Sequence, residues 1–99
     1  MWEKGHPKKQ KTFSPGDYVI VSYDQTPFVG NIQSYDEELG YKIKSMENKS
    51  NSNSFIWSEW EIYYKETDIL SKIDTPNLFN NRGQLCLSKS DYSKFKSYF

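Results

Sequence analysis

The sequence predicts an all-β fold in which five short strands close into one small barrel. From Pro15 onward, segments of alternating polarity are separated by turn residues about every eight to twelve positions, which is typical of small all-β domains. Only 35% of the 99 residues are hydrophobic but 17% are aromatic, so a small core must be built from large aromatic side chains. Five short strands are too few to pack as two sheets, and one strongly bent barrel is the economical arrangement.

The first three strands are predicted from alternation between turn residues. They span residues 17–23, 28–35 and 41–46. The side chains that share a buried face are Val19 with Val21, Phe28 with Gly30 and Ile32, and Tyr41 with Ile43. The polar, low-complexity segment ENKSNSNS, residues 47–54, then predicts a mobile hairpin loop that buries nothing.

The fourth strand is the aromatic segment FIWSEWEIYY, residues 55–64, whose alternation changes phase. Phe55 and Trp57 share one face, whereas the apolar positions from Trp60 onward share the other, so we expect a bend or bulge near Ser58-Glu59. Helical spacing also fits this segment, but its β-favouring aromatics favour a strand. We expect Phe55 and Trp57 to complete the core, and at least one of the later aromatics to lie at the surface.

The remaining segments are shorter and more polar. ETDILSKI, residues 66–73, predicts a short helical turn or the fifth strand, ended by Pro76. Leu85 and Leu87 alternate like an edge strand, and the later aromatics have helical spacing behind Ser90, a candidate helix cap. The predicted organisation is a flexible basic lead-in (1–12), a barrel (13–76), and a polar tail with a short helix (77–99), which docks on the barrel, binds a partner or stays loose.

Charge and the reactive residues argue against several functional classes. Thirteen basic and thirteen acidic residues give zero net charge, so the long-range field of a DNA-coating protein is missing. The only histidine, His6, is far in sequence from the only cysteine, Cys86, and no phosphate-binding glycine loop is present. We therefore predict a non-enzymatic protein that needs no cofactor or metal, has no membrane segment, and acts inside the cell.

Four segments together resemble a known family. PGDYVIVSY, FVGNI, YKIKSM and FIWSEWEIYYKETDIL have the order and spacing of a Tudor-type, SH3-like barrel over residues 14–76. The last segment is similar to barrels linked to transposon-derived or chromatin-associated animal proteins. The sequence departs from that pattern at Ser58, where a proline is usual, and at Ile62, where an aspartate is usual.

The resemblance implies an aromatic cage for a methylated lysine or arginine. Two cage positions fall on Tyr23 and Phe28, and the other two fall on Lys44 and Glu47, which are not aromatic. A cation that has lost hydrogen-bonding capacity is still attracted to aromatic faces, whereas a lysine would repel it. A shifted register would bring Tyr35, Tyr41 or Phe55 to the cage instead, so Tyr23, Phe28, Tyr35 and Tyr41 are the candidate ligand-binding residues.

We interpret the chain as a binding module for a protein segment, which the resemblance associates with chromatin or transposons in the nucleus. Trp60 and Tyr63 are candidates for a protein-docking surface, because exposed tryptophan and tyrosine are enriched at such surfaces. The alternative is a nucleic-acid-binding barrel that stacks bases on exposed aromatics beside basic side chains. The candidate nucleic-acid contacts are Lys8, Lys9, Lys11, Lys42 and Lys44.

Overall fold

The computed structural model of the chain describes residues 13–49, 52–78 and 83–99. Its strands are β1 (Tyr18–Tyr23), β2 (Thr26–Asp36), β3 (Gly40–Asn48), β4 (Phe55–Tyr64), β5 (Ile69–Ile73), β6 (Asn77–Leu78) and β7 (Leu85–Cys86). A 3₁₀ turn at Glu66–Asp68 precedes β5, and the helix α1 (Lys89–Lys96) follows β7. Within these ranges, no helix has the length and apolar character that crossing a membrane requires.

The strands form one antiparallel sheet in the order β5-β1-β2-β3-β4-β7-β6, curled into a half-barrel. The prediction of a mostly β fold is confirmed, but the strand number is wrong, because the described residues form seven strands. β1 to β5 lie near the five predicted positions. The two extra strands come from the tail, where Leu85 pairs with Phe55 at the edge of β4. A sheet edge carries unpaired backbone groups, and the tail satisfies some of them.

The β1–β2 hairpin has the shortest loop that joins two antiparallel strands. Tyr23 pairs with Thr26, so only Asp24 and Gln25 form the loop, with φ angles of 52° and 64°. Two positive φ angles are typical of a type I′ turn, whose twist matches that of the strands. The predicted break at 24–27 is therefore too long, because β2 already begins at Thr26.

The β2–β3 turn is held by a carboxylate and a glycine. The Asp36 carboxylate accepts hydrogen bonds from the backbone N–H groups of Glu38 (2.8 Å) and Leu39 (2.9 Å), and these bonds, that of Leu39 foremost, lower the pKa of Asp36. Gly40 has φ of 100°, and a side chain there would meet the backbone carbonyl of Tyr64. This position therefore requires glycine on two grounds.

Apolar side chains on the first face of the sheet form a first core, drawn from each of the five long strands. Its members are Phe13, Val19, Val21, Ile32, Tyr41, Ile43, Tyr64 and Ile69. The rings of Phe13 and Tyr41 meet edge to face, with centroids 6.0 Å apart. The curl of the sheet lets this face cover itself, because strands from both sides of the sheet contribute to one cluster.

The tail covers the second face and forms a second core with it. Its members are Ile20, Val29, Met46, Phe55, Ile73, Leu87 and Phe95. Phe95 of α1 meets Phe55 edge to face at 5.2 Å, and neither side chain is more than 1% exposed. Of the three outcomes left open for the tail, docking on the barrel is the one that the structure shows.

Polar contacts fix the tail in place. The amide of Asn53 donates to the Leu87 carbonyl and accepts from the Leu87 N–H, both at 2.7 Å. The buried Asp91 carboxylate accepts from the Asp74 N–H at 2.9 Å. Ser88 caps the helix by accepting from the Asp91 N–H, so the prediction of Ser90 as the cap is wrong: Ser90 lies within the first turn. The expectation that the 47–54 loop buries nothing overlooked Asn53, which is only partly exposed.

The predicted irregularity of β4 is present as a shift in its pairing with β3. Trp57 pairs with Met46 and Glu61 pairs with Lys44, so three residues of β4 lie opposite Ser45 alone. This is a β-bulge at the predicted place. The buried side chains lie on different faces of the sheet at the two ends of β4. Phe55 belongs to the second core, and Tyr64 belongs to the first core.

Candidate functional site

An open cavity of about 320 Å³ lies where the β1–β2 hairpin approaches the bulge of β4. Four of its walls are aromatic, and these four residues define what is called here the aromatic pocket: Tyr23, Phe28, Trp60 and Tyr64. The other lining residues are Asp24, Thr26, Ser45, Met46, Glu47 and Ser58. The lining therefore combines aromatic rings with two carboxylates.

Tyr23 is the common neighbour of the other three aromatic residues. Its ring centroid lies 6.4 Å from those of Phe28 and Trp60 and 6.5 Å from that of Tyr64, with steep angles between the rings. Edge-to-face pairs at such separations stabilise each other. Tyr23 is itself largely exposed, so its ring also borders the solvent side of the pocket.

The curl of the sheet brings these residues together. β1 and β4 are separated in the sheet by β2 and β3, so a flat sheet would hold them about 14 Å apart at the usual strand spacing. The curl of the half-barrel, together with the length of the two side chains, brings the ring centroids of Tyr23 and Trp60 to 6.4 Å. The pocket is thus a product of the half-barrel and not of any one hairpin.

Ser58 holds the bulge in which Trp60 lies. Its hydroxyl donates to the Ser45 carbonyl at 2.9 Å and accepts from the Trp60 N–H at 3.1 Å. Both are backbone groups that the bulge removes from the regular ladder, and a single serine satisfies them. Ser58, which stands where the pattern that the sequence resembles has proline, therefore has a structural role of its own.

The strand β3 closes the pocket with Ser45, Met46 and Glu47. Lys44, which the resemblance placed at a cage position, does not line it: the Lys44 amine lies 5.6 Å from the ring centre of Trp57. A repulsive lysine is therefore absent from the described lining residues. Glu47, which the resemblance placed at the other non-aromatic position, is one of the two carboxylates of the lining.

Tyr64 is the buried wall of the pocket. Burial, followed by the neighbouring Tyr23 and Asp68, raises the pKa of Tyr64 to about 12, while a hydrogen bond with the Ser45 side chain opposes this. The phenol therefore stays neutral at physiological pH. A neutral ring beside Asp24 and Glu47 leaves the pocket with a negative lining, which favours a cationic occupant.

The predicted aromatic candidates fall in different places. Tyr23 and Phe28 line the pocket together, but Tyr35 and Tyr41 do not. Their rings pack against each other 4.8 Å apart, and Tyr41 is 1% exposed in the first core. Of the docking candidates, Trp60 is 60% exposed and lines the pocket, whereas Tyr63 is 42% exposed and lies outside its lining.

The two described lysine candidates, Lys42 and Lys44, do not line the pocket. Lys42 pairs with Glu61 at 3.6 Å, and Lys44 lies over Trp57, which also meets Tyr18 at 6.3 Å between ring centres. Trp57 is 38% exposed, so the expectation that it completes the core is wrong: it shares a face with Phe55 but lies beyond the cover of the tail. Lys8, Lys9 and Lys11 lie outside the described residues.

Sequence reasoning missed Tyr64 as a pocket wall and placed Trp60 only on a general docking surface. The phase change at Ser58-Glu59 was the available signal, because it puts the apolar positions from Trp60 onward on the opposite face from Phe55 and Trp57. Over residues 13–49, 52–78 and 83–99, there is no group of three or more acidic, histidine or cysteine side chains placed to hold a metal ion. The chemistry that the pocket offers is therefore aromatic and electrostatic contact.

Comparisons with known proteins add no assignment to this geometry. Neither the family models, nor the curated proteins, nor the solved structures gave a significant match to the chain.

Proposed function

We propose that this chain is a non-enzymatic binding module that holds a methylated lysine or arginine side chain of another protein in the aromatic pocket. The observation that carries the proposal is the lining of the pocket, in which four aromatic residues and the acidic residues Asp24 and Glu47 border one open cavity. Aromatic faces attract a cation, and the carboxylates add a matching charge.

Methylation is the part of the proposal that accounts for the aromatic walls. An unmodified ammonium group is strongly hydrated and loses hydrogen bonds with water when it enters an apolar site. Methyl groups remove those donors while the positive charge remains, so aromatic faces become the better surroundings. Each such contact contributes about 0.5–2 kcal/mol, depending on how fully the cation leaves water.

The curled sheet and the position of the pocket support a Tudor-like barrel as the structural class. Tyr23 and Phe28 lie at the pocket, as the resemblance implies. In this proposal Trp60 and Tyr64 of β4 take the place of the aromatic residues missing from β3. From this class we infer that the protein acts in the nucleus and binds methylated proteins of chromatin.

The direct test is a binding titration with peptides that differ only in methylation. Isothermal calorimetry or NMR titration with unmodified, dimethylated and trimethylated lysine peptides, and with a dimethylated arginine peptide, should show affinity only for methylated forms. The largest NMR shifts should fall on Tyr23, Trp60 and Glu47. Equal affinity for modified and unmodified peptides would contradict the proposal.

Two exposed aromatics of β4 provide a matched pair of variants. Trp60→Ala should weaken binding by about 1–2 kcal/mol, or about tenfold, because a wall of the pocket is lost. Tyr63→Ala removes an exposed ring that does not line the pocket, and affinity should stay unchanged. Binding that survives both Trp60→Ala and Tyr23→Ala would overturn the pocket as the site.

Nucleic acid is a second candidate ligand, supported by the exposed Trp57 beside Lys44. The pairing of Lys42 with Glu61 reduces the free positive charge on that face. Contacts with phosphates release counterions, so affinity for an oligonucleotide should fall steeply with salt concentration if this face binds it. A Trp57→Ala variant with unchanged oligonucleotide binding would exclude that face.

A further inference from the structure

The tail reaches both sides of the curled sheet. On one side, Leu85 pairs with Phe55 at the start of β4, and the ring of Phe95 packs on that of Phe55 with centroids 5.2 Å apart. On the other side, the buried Asp91 carboxylate accepts a hydrogen bond at 2.9 Å from the N–H of Asp74, the residue directly after β5. In the sheet order, β5 and β4 are the first and the last of the five long strands. The tail therefore bridges the sheet from one side to the other.

A second contact holds β5 to the tail. Within the part of the chain that the structure describes, one edge of β5 has no neighbouring strand. The Tyr98 hydroxyl, beyond the end of α1, donates to the Leu70 carbonyl of β5 at 3.4 Å. Tyr98 and Asp91 thus fix the β5 side of the sheet to the same tail that Leu85 and Phe95 attach to β4.

The walls of the aromatic pocket belong to the same two sides of the sheet. Tyr23 ends β1, which pairs with β5, and Trp60 lies in β4. The pocket lies on the first face, where Tyr64 belongs to the first core, whereas the tail packs on the second face. No described residue of the tail lines the pocket. An effect of the tail on the pocket must therefore pass through the sheet itself.

The sheet between these two sides is irregular at two places. The pairing of β2 with β3 shifts register between Ile32 and Ser34, and that of β3 with β4 shifts between Lys44 and Met46. Such bulges bend a strand and increase its local twist. The separation of β1 from β4 depends on these bends, because both occur in the pairings that connect the two strands. A tie between the outer strands restricts how far the bends open.

We propose that the tail acts as a strap that fixes the separation of the pocket walls, and that Asp91 is a positioning residue for the aromatic pocket. Loss of the hydrogen bond from Asp74 to Asp91 lets the β5–β1 side move relative to β4, so the rings of Tyr23 and Trp60 lie farther apart on average. Walls that are held in place before a ligand arrives bind it more tightly, because less freedom is lost on binding. The effect on affinity rests on the proposed function of the pocket, whereas the effect on the ring separation does not.

The test compares Asp91→Ala with Asp91→Asn. Both changes remove the carboxylate charge and its 3.8 Å pair with Lys94, but only asparagine keeps a side-chain oxygen that can accept from the Asp74 N–H. In the ligand-free protein, the nuclear Overhauser effect between the rings of Tyr23 and Trp60 should weaken in Asp91→Ala and be retained in Asp91→Asn. Affinity for a trimethyllysine peptide with glycine and serine flanks should fall about fivefold, in Asp91→Ala only.

Two further measurements keep the strap testable if Asp91→Ala does not fold. Tyr98→Phe removes only the hydroxyl bond to Leu70, from a side chain that is partly exposed, and should weaken the same Overhauser effect by a smaller amount. Coupling between two sites is reciprocal, so the trimethyllysine peptide should slow hydrogen exchange at the Asp74 N–H of the wild type. The Glu38 N–H, bonded within the β2–β3 turn, is the control and should exchange at an unchanged rate.

The outcomes separate the strap from the proposed function. An unchanged Overhauser effect in Asp91→Ala, or an equal loss in Asp91→Asn, overturns the strap whether or not the peptide binds. If Asp91→Ala does not fold, an unchanged Overhauser effect in Tyr98→Phe overturns it. If the rings separate as expected but binding to the wild type does not depend on methylation, the strap stands and the proposed function of the pocket fails. Equal affinity of the trimethyllysine peptide for the wild type and Asp91→Ala, with the rings apart, would place peptide binding outside the pocket.

Discussion

Two aromatic side chains of β4 have opposite exposure. Phe55, at the start of the strand, is fully buried beneath Phe95 of the tail, whereas Trp60, in the bulge, is 60% exposed at the aromatic pocket. Both are large aromatic side chains on one strand of the same sheet. Burial by residues from distant parts of the chain, and not residue type, therefore decides whether an aromatic side chain belongs to the core or to an exposed surface.

The largest effect is expected when the side chain that covers Phe55 is removed. Phe95→Ala should reduce the free energy of unfolding by about 3–5 kcal/mol, because it leaves a cavity beside Phe55 and the second core. Trp60→Ala should cost far less, since most of that side chain already contacts water. Urea unfolding followed by circular dichroism measures both.

A small domain has little stability to lose, so Phe95→Ala alone can leave too little folded protein to measure. Phe95→Leu keeps most of the side-chain volume and serves as the milder variant. It should reduce the free energy of unfolding by less than Phe95→Ala does. Equal losses for Phe95→Ala and Trp60→Ala would contradict the assignment of the tail as the cover.

An intermediate effect is expected where the tail is anchored. Asn53→Ala removes both hydrogen bonds to the Leu87 backbone and should cost about 1–3 kcal/mol, because a donor and an acceptor are left partly buried without their partner. Hydrogen exchange at Leu87 should accelerate in this variant. Ser52→Ala, in the same loop, removes a bond only to the Lys49 carbonyl and provides the control. Unchanged exchange at Leu87 after Asn53→Ala would count against this anchor.

The smallest effect appears only in alkaline solution. The ordinary pKa of tyrosine is about 10, and that of Tyr64 in the folded chain is raised to about 12. Between these values the unfolded chain has lost the proton and the folded chain has kept it, so stability must fall as pH rises from 10 toward 12. In Tyr64→Phe, the free energy of unfolding should fall less per pH unit in this range, and the difference should correspond to the release of roughly one proton.

Other tyrosines contribute to the same alkaline decline. Burial raises the pKa of Tyr41 as well, but that contribution is common to wild type and Tyr64→Phe and cancels in the comparison. Loss of the hydrogen bond between Tyr64 and Ser45 shifts the stability of the variant by a constant amount below pH 10 and does not alter the slope. Identical slopes for the two proteins would show that Tyr64 is not the titrating group.

Local patterns in the sequence were enough to place most elements. Alternating polarity located β1 to β4, and the phase change in residues 55–64 located the bulge. Residues 66–73, predicted as a short helical turn or the fifth strand, form a 3₁₀ turn followed by β5. Tyr23 and Phe28 lie on opposite sides of the β1–β2 turn, and both line the pocket. These features depend on residues close together in the chain, where the alternating direction of side chains sets the pattern.

The rest depended on contacts between residues far apart. Tyr41 is a suitable wall by residue type, but it lies in the first core, and Trp60 reaches Tyr23 only because the sheet curls across two intervening strands. Ser88 caps α1 in place of Ser90, a shift of two residues that spacing alone does not resolve.

Side-chain periodicity is a local property, and it was enough to predict the first four strands and the interruption of β4. It did not predict the composition of the core: among the described residues, five of the fifteen buried hydrophobic side chains are aromatic and nine are Val, Ile or Leu, so the expectation of an aromatic core is wrong. The tertiary structure alone decided that the tail covers Phe55 and leaves Trp60 open, and that four aromatic residues from three strands meet at one cavity. The physical reason is that burial depends on which surfaces the curled sheet and the docked helix bring together, and those contacts join residues widely separated in the chain.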